Sequence, residues 1–144
     1  MKRLFVFACI AGIMPFICSC VEIDKVPSDL TGTWQFVKEE IYSRQGVLED
    51  SYEYKDRYGD YSVHFTENTA TYLEFGEVDE TSWYTYDSKN KRIVFSDGDA
   101  VIVKKLTSSE MVWKEDIEYI EEHDSGKYKT THSNYMVSYL KKIQ

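Results

Sequence analysis

Three histidines, two short runs of carboxylates and a cluster of tyrosines are the side chains of this chain with chemistry to offer. His64, His123 and His132 are nowhere three or four residues apart, so no pair shares a helical face as a zinc helix requires. His64 alternates with Val63 and Phe65 and should face outward. Glu121-Glu122-His123-Asp124 has the oxygen ligands that calcium prefers, yet it reads better as a solvated hairpin tip. Asp97-Gly98-Asp99 is too short for a calcium loop and reads as a turn. His123-Asp124-Ser125 are neighbours in sequence, which is not how a catalytic triad assembles in space. The chain has neither a Gly-x-Ser-x-Gly elbow nor a glycine-rich phosphate loop. The expectation is a protein that is not an enzyme and uses no metal or cofactor.

The unusual feature is Ser51-Tyr52-Glu53-Tyr54-Lys55-Asp56-Arg57-Tyr58-Gly59-Asp60, where three tyrosines sit among charges. A tyrosine combines a rigid apolar body with a polar tip, which suits loops that touch ligands or proteins. The same rings would equally serve to cover the rim of a barrel, and the sequence leaves both readings open.

At the N-terminus Lys2 and Arg3 precede a run without charge from Leu4 to Cys20, the pattern of an export signal. About fifteen apolar residues, with Pro15 near the end, are too few for a membrane span, which needs about 20. Ile17-Cys18-Ser19-Cys20 resembles the bacterial lipobox, with an aliphatic residue three before the acceptor and a small one just before it. Cys18 would place bulky Ile17 at the cleavage site, and Cys9 lies too close to Arg3 for a signal core. Cys20 is the expected acceptor, and the resemblance implies a diacylglycerol and a further acyl chain on it. One acyl chain anchors only marginally, at about 0.8 kcal/mol per buried CH₂, whereas several give stable attachment.

Cleavage before Cys20 leaves no second cysteine for a disulfide, so the exported domain must stand on its core alone. It also removes two basic residues, leaving 15 basic against 25 acidic side chains. Such a surface repels phosphates and anionic headgroups, so nucleic acid is not an expected partner. The expected location is the outer membrane, on its periplasmic face or at the cell surface. Glu22 and Asp24, separated by Ile23, only partly match the acidic cluster of surface-exported lipoproteins.

The elements that must position these residues are strands. From Thr33 onward, apolar residues recur mostly at spacing two between turn residues. Strands are expected over Thr33 to about Tyr42, with a bulge near Val37, then Tyr61–Phe65, Thr71–Phe75, Thr81–Tyr86, Arg92–Phe95, Ala100–Leu106, Met111 to about Tyr119, and Tyr128–Leu140. Val63 is expected opposite Leu73 across a three-residue loop, Glu67-Asn68-Thr69. Eight strands in a meander close into a barrel when the first pairs with the last, which removes both open edges.

Gly32-Thr33-Trp34 at the start of the first strand resembles the Gly-x-Trp signature of the lipocalin superfamily. Together with Leu30-Thr31 and the ending Tyr135–Leu140, it is similar to the lipocalin-like domain of small Bacteroides-type lipoproteins. The resemblance implies an all-β, eight-stranded up-and-down antiparallel barrel of the lipocalin or calycin type, with Trp34 plugging the closed end and the tyrosine segment as a loop over the open mouth. The expected organisation is a signal over 1–19, a lipidated tether over 20–29 and the barrel over 30–144. Lys141 or Lys142 is placed to lie over Trp34 as a cation on an aromatic face. Trp34, Phe36, Phe65, Phe75, Phe95 and at least one of Trp83 and Trp113 should fill the interior, leaving a shallow site at the mouth.

The expected function is a membrane-anchored protein that binds a small hydrophobic or amphiphilic ligand there, through Tyr52, Tyr54, Tyr58, Trp83 and Trp113. The competing expectation is a filled barrel that contacts an envelope protein or a glycan. Replacing Cys20 by alanine is expected to abolish incorporation of labelled palmitate and to release the protein from the membrane fraction; retained label would show the acceptor to be another residue.

Overall fold

The computed structural model describes residues 24–54, 61–123 and 128–143, and of 119–123 and 128–131 the backbone alone. Cys20, Tyr58 and the Glu121–Asp124 side chains lie outside what it describes. Nine strands follow in order: β1 (Gly32–Ser43), β2 (Leu48–Glu53), β3 (Tyr61–Phe65), β4 (Thr69–Glu74), β5 (Glu77–Asp87), β6 (Arg92–Phe95), β7 (Ala100–Leu106), β8 (Glu110–His123) and β9 (Tyr128–Ile143). Each pairs antiparallel with its sequence neighbour from β3 onward, and β9 returns to pair with β1, so the sheet is a closed eight-stranded up-and-down barrel with one extra strand.

The extra strand is β2, in a stretch expected to be loop. On the side of β1 away from β9, residues 32–35 pair with β3 and residues 38–42 pair with β2. β2 and β3 therefore occupy one column beside β1, interrupted between Tyr54 and Tyr61. All six residues of β2 are exposed, and Glu49, Asp50 and Glu53 place charge along it, which discourages pairing with another chain.

The expected bulge is present at Val37, where the β1–β9 register skips from Phe36 to Lys38. Before it Trp34 and Phe36 point inward; after it the phase is shifted by one residue, so that Glu39 points inward while Lys38 and Glu40 face out. On the outer face Glu40 accepts hydrogen bonds from Tyr42 (2.7 Å) and Tyr139 (2.8 Å) and pairs with the Lys38 ammonium. The Lys38 contact and the two hydroxyls hold the Glu40 carboxyl down at about 2.

The β3–β4 register differs from expectation. Val63 faces Tyr72, not Leu73, and Phe65 faces Ala70. Thr66 N donates to Thr69 O, closing a two-residue turn of Glu67 and Asn68, and the Thr66 hydroxyl accepts from Thr69 N at 3.0 Å. The inward residues of β4 are therefore Ala70 and Tyr72. Phe75 is not in the interior: it is 69 % exposed, at φ 51° in the β4–β5 turn with Gly76 at φ 81°. Two successive positive φ values are what a tight hairpin turn of this length requires.

At the closed end Trp34 is fully buried, and its Nε1 donates to Leu30 O at 2.8 Å. Lys142 supplies the cation: its Nζ lies 5.0 Å from the Trp34 ring centroid and donates to Asp29 O at 2.9 Å. The Lys142 side chain crosses Gly32, where an added Cβ would come within 2.8 Å of Lys142 Cε, and Gly32 has φ +119°. The backbone angle and the crossing lysine both demand glycine here. Asp24 Oδ2 accepts from Ser88 N at 2.8 Å, which ties the chain ahead of the barrel to the β5–β6 turn at this same end. Gly32→Ala is expected to cost about 1–3 kcal/mol of stability, read as a lower urea midpoint with an unchanged slope.

Candidate functional site: an acidic mouth over an aromatic floor

The two sides of the barrel's open end differ in height. β8 and β9 stay paired along the whole length of β8, whereas β7 leaves β8 at Glu115 and β6 has only four residues. β1, β2, β8 and β9 thus form a tall wall, and the β6–β7 turn forms a low lip. Between them opens a cleft of about 210 Å³.

Its floor is aromatic. Phe36 from β1 meets Trp113 from β8 edge to face, with centroids 5.6 Å apart, and Trp113 meets Phe65 at 6.3 Å. Tyr61 packs tilted against Phe36 at 4.7 Å, and Tyr72 lies 6.3 Å from Phe95. These rings fill the barrel beneath, so the site is shallow, as the interior volume predicts.

Its rim is acidic. Glu39, Asp79, Glu80, Asp97, Asp99 and Glu115 line the cleft, and among the described residues no lysine, arginine or histidine does. Local geometry turns each of them in. The Val37 bulge turns Glu39 inward. A second register skip, where Tyr72 pairs with Glu80 but Leu73 with Val78, leaves Asp79 as the extra residue and puts adjacent carboxylates on the rim. Glu115 follows Trp113 by two along β8, and Asp97 and Asp99 flank Gly98 in the low turn, with Asp99 N donating to Asp97 Oδ1 at 2.9 Å. Among the described residues none of the six forms an ion pair.

Burial, then the charges of Asp99, Glu39 and Asp97, pushes the Glu115 carboxyl above its ordinary range. Burial and the surrounding acids also push the Tyr61 and Tyr72 hydroxyls up, so both stay neutral donors.

Of the residues expected to bind a ligand, the structure puts Trp113 in the lining of the cleft and Tyr52 and Tyr54 in the adjoining hollow on the far side of Tyr61. Trp113 is in the floor. Tyr54 packs 6.1 Å from both Phe36 and Tyr61 and donates to Glu39 Oε2 at 2.8 Å, and Tyr52 meets Tyr54 edge to face at 4.7 Å. Trp83 is not brought to the mouth: it is 64 % exposed on the outer wall of β5, opposite Thr69 near the closed end. His64 faces outward as expected, exposed and hydrogen-bonded to the Thr33 hydroxyl at 2.9 Å. The carboxylates, Tyr61 and Tyr72 are the residues sequence reasoning missed; the signal was the charge at inward phase in Trp113-x-Glu115.

A roomier groove of about 450 Å³ runs along the outer wall beside the Val37 bulge. Its surface is mostly apolar, Lys105 pairs there with Glu110, and Lys38 and Lys141 leave it basic and without the aromatic floor of the mouth. The mouth is where unbalanced charge and aromatic surface converge. Compared with protein-family models, curated proteins and solved structures, the chain matches none.

A carboxyl whose pKa rises on folding favours the folded state below its ordinary value of 4.5 and works against it as the pH climbs through the raised value. Glu115→Gln is therefore expected to raise the melting temperature at pH 7, with the gain disappearing below pH 4. A Glu115→Gln protein less stable than wild type at pH 7 would mean the carboxylate is held by a compensating partner.

Proposed function

We propose that the mature chain is a lipoprotein held to the membrane through lipid on Cys20, with a lipocalin-like barrel that binds a small amphiphilic ligand at its mouth. The role is binding rather than catalysis. The observation that carries this reading is the cleft itself: an open, aromatic-floored concavity above an otherwise filled barrel, with polar groups converging on it. Its modest volume favours a compact ligand, or one end of a longer one.

The tether gives the proposal an orientation. Asp24 is fastened at the closed end, and the four residues from Cys20 span at most about 14 Å when extended. Lipid on Cys20 would hold the closed end toward the bilayer and point the mouth away from it. Ligand would then be taken from the aqueous side and not drawn from the leaflet that holds the anchor.

A second reading, contact with an envelope protein or a glycan, is favoured by exposed apolar residues at the open end: Val47, Leu48 and Tyr52 on the tall wall, and Phe75 and Val78 at the β4–β5 turn. Tryptophan fluorescence separates the two. Trp113 lies under the cleft while Trp34 is at the far end, so small amphiphiles added to the domain from Val21 onward should change emission saturably. Tyr54→Ala should weaken that binding about tenfold, the loss of roughly 1.4 kcal/mol of packing and hydrogen bonding. If no amphiphile binds, the rim is an interaction surface.

A further inference from the structure

The geometry points to an organic cation carrying a hydrogen-bond acceptor, such as a small amine with a hydroxyl group, as the ligand class of the mouth cleft. This rests on the mouth being the binding site and adds the chemistry of what enters it. Two independent observations carry it.

The first is the sign of the charge. Six carboxylates line one cleft of about 210 Å³, and among the described residues no basic side chain lines it. A concavity walled by one sign of charge focuses the field and concentrates counter-ions of the opposite sign. The acids are spread around the rim: among the described residues no group of three or more converges to hold a metal ion. That spread suits a cation larger than a bare metal. The floor suits it too, because the faces of Tyr61, Tyr72, Phe95 and Trp113 attract cations as well as apolar bodies.

The second is an orphaned donor. Trp113 is 2 % exposed and lines the cleft, and among the described residues its buried Nε1–H has no acceptor. A buried donor left unpaired costs about 1–3 kcal/mol. Its ring cannot easily turn to find a partner, being wedged edge to face against both Phe36 and Phe65. At the other end of the barrel the Trp34 indole has its acceptor in Leu30 O. A ligand that brings an oxygen to the floor satisfies Trp113, while its ammonium group meets the rim. A bare cation would leave the indole unpaired, and a neutral ligand would leave the acids unbalanced.

The test uses the full mature chain in non-ionic detergent, titrated calorimetrically with three compounds of one shape: 2-amino-1-phenylethanol (ammonium and hydroxyl), phenethylamine (ammonium alone) and 1-phenyl-1,2-ethanediol (hydroxyls, no charge). The amino alcohol is expected to bind at least tenfold more tightly than the diol, and severalfold more weakly in 0.5 M than in 0.02 M sodium chloride. Glu115→Gln combined with Asp99→Asn should erase most of the preference over the diol. Glu110→Gln, on the outer wall, should leave it intact. Trp113→Phe should bring the amino alcohol down to phenethylamine; if that variant fails to fold, the wild-type preference for the amino alcohol over phenethylamine still reads the acceptor. Equal binding of diol and amines would overturn the cation class while leaving the mouth as a binding site. Stoichiometric calcium binding that displaces the amines would overturn it in favour of a metal. Absence of binding by all three, together with no response to any amphiphile, would bring down the mouth site itself.

Discussion

Pairing between β1 and β9 closes the sheet, and the single bulge within that pairing decides what each half of the barrel contains. The two strands are in register over ten residue pairs, from Thr33 with Ile143 to Ser43 with Asn134, interrupted only at Val37. Below the bulge the inward side of β1 carries Trp34 and Phe36; above it, Glu39. Were Val37 paired regularly and not bulged, the inward phase would continue through Lys38 and Glu40, and the mouth would present a lysine beside a glutamate. Instead those two side chains meet on the outside, where Tyr42 and Tyr139 complete the shell around Glu40. One extra residue thus builds a neutralised outer network and turns Glu39 onto the inner rim, where Tyr54 and Ser138 donate to it but, among the described residues, no cation pairs with it.

The fold was legible where burial is one-sided. β3, β6 and β7 match the boundaries read from alternating apolar residues, and the Val37 bulge shows directly as a change of phase between Phe36 and Ile41. β2 was not legible, because Leu48-Glu49-Asp50-Ser51-Tyr52-Glu53 is exposed on both faces and so carries no alternation. Phe75 misled because it continues the spacing of Thr71 and Leu73, and nothing local says that the turn seats an aromatic residue at positive φ. Trp83 and Tyr84 are adjacent aromatics of which only one can face inward; the β4 register assigns that place to Tyr84, whose hydroxyl donates to Thr66 O at 2.6 Å.

The site was less legible than the fold for a related reason. Its carboxylates come singly or in pairs from β1, β5, β8 and the β6–β7 turn, so no window of sequence holds them together. The dense run at Glu121–Asp124 drew attention as a ligand cluster, and Asp97-Gly98-Asp99 was set aside as turn chemistry. The turn assignment is right, yet the turn is also the lip of the cleft. Position in the barrel, rather than local density, gives these acids their meaning.

The two ends of the barrel divide the work of stability and binding. At the closed end the polar groups that fasten the plug are answered: the Trp34 indole by Leu30, Lys142 by Asp29 and the Trp34 face, Ser88 N by Asp24. At the open end six acids ring the cleft and, among the described residues, no cation pairs with them and one buried indole has no acceptor. Natural proteins place such locally unfavourable arrangements where they bind, and hold them with well-satisfied structure elsewhere. The closed end and the β1–β9 seam carry that support, and a ligand that neutralises the rim would strengthen the fold as it binds.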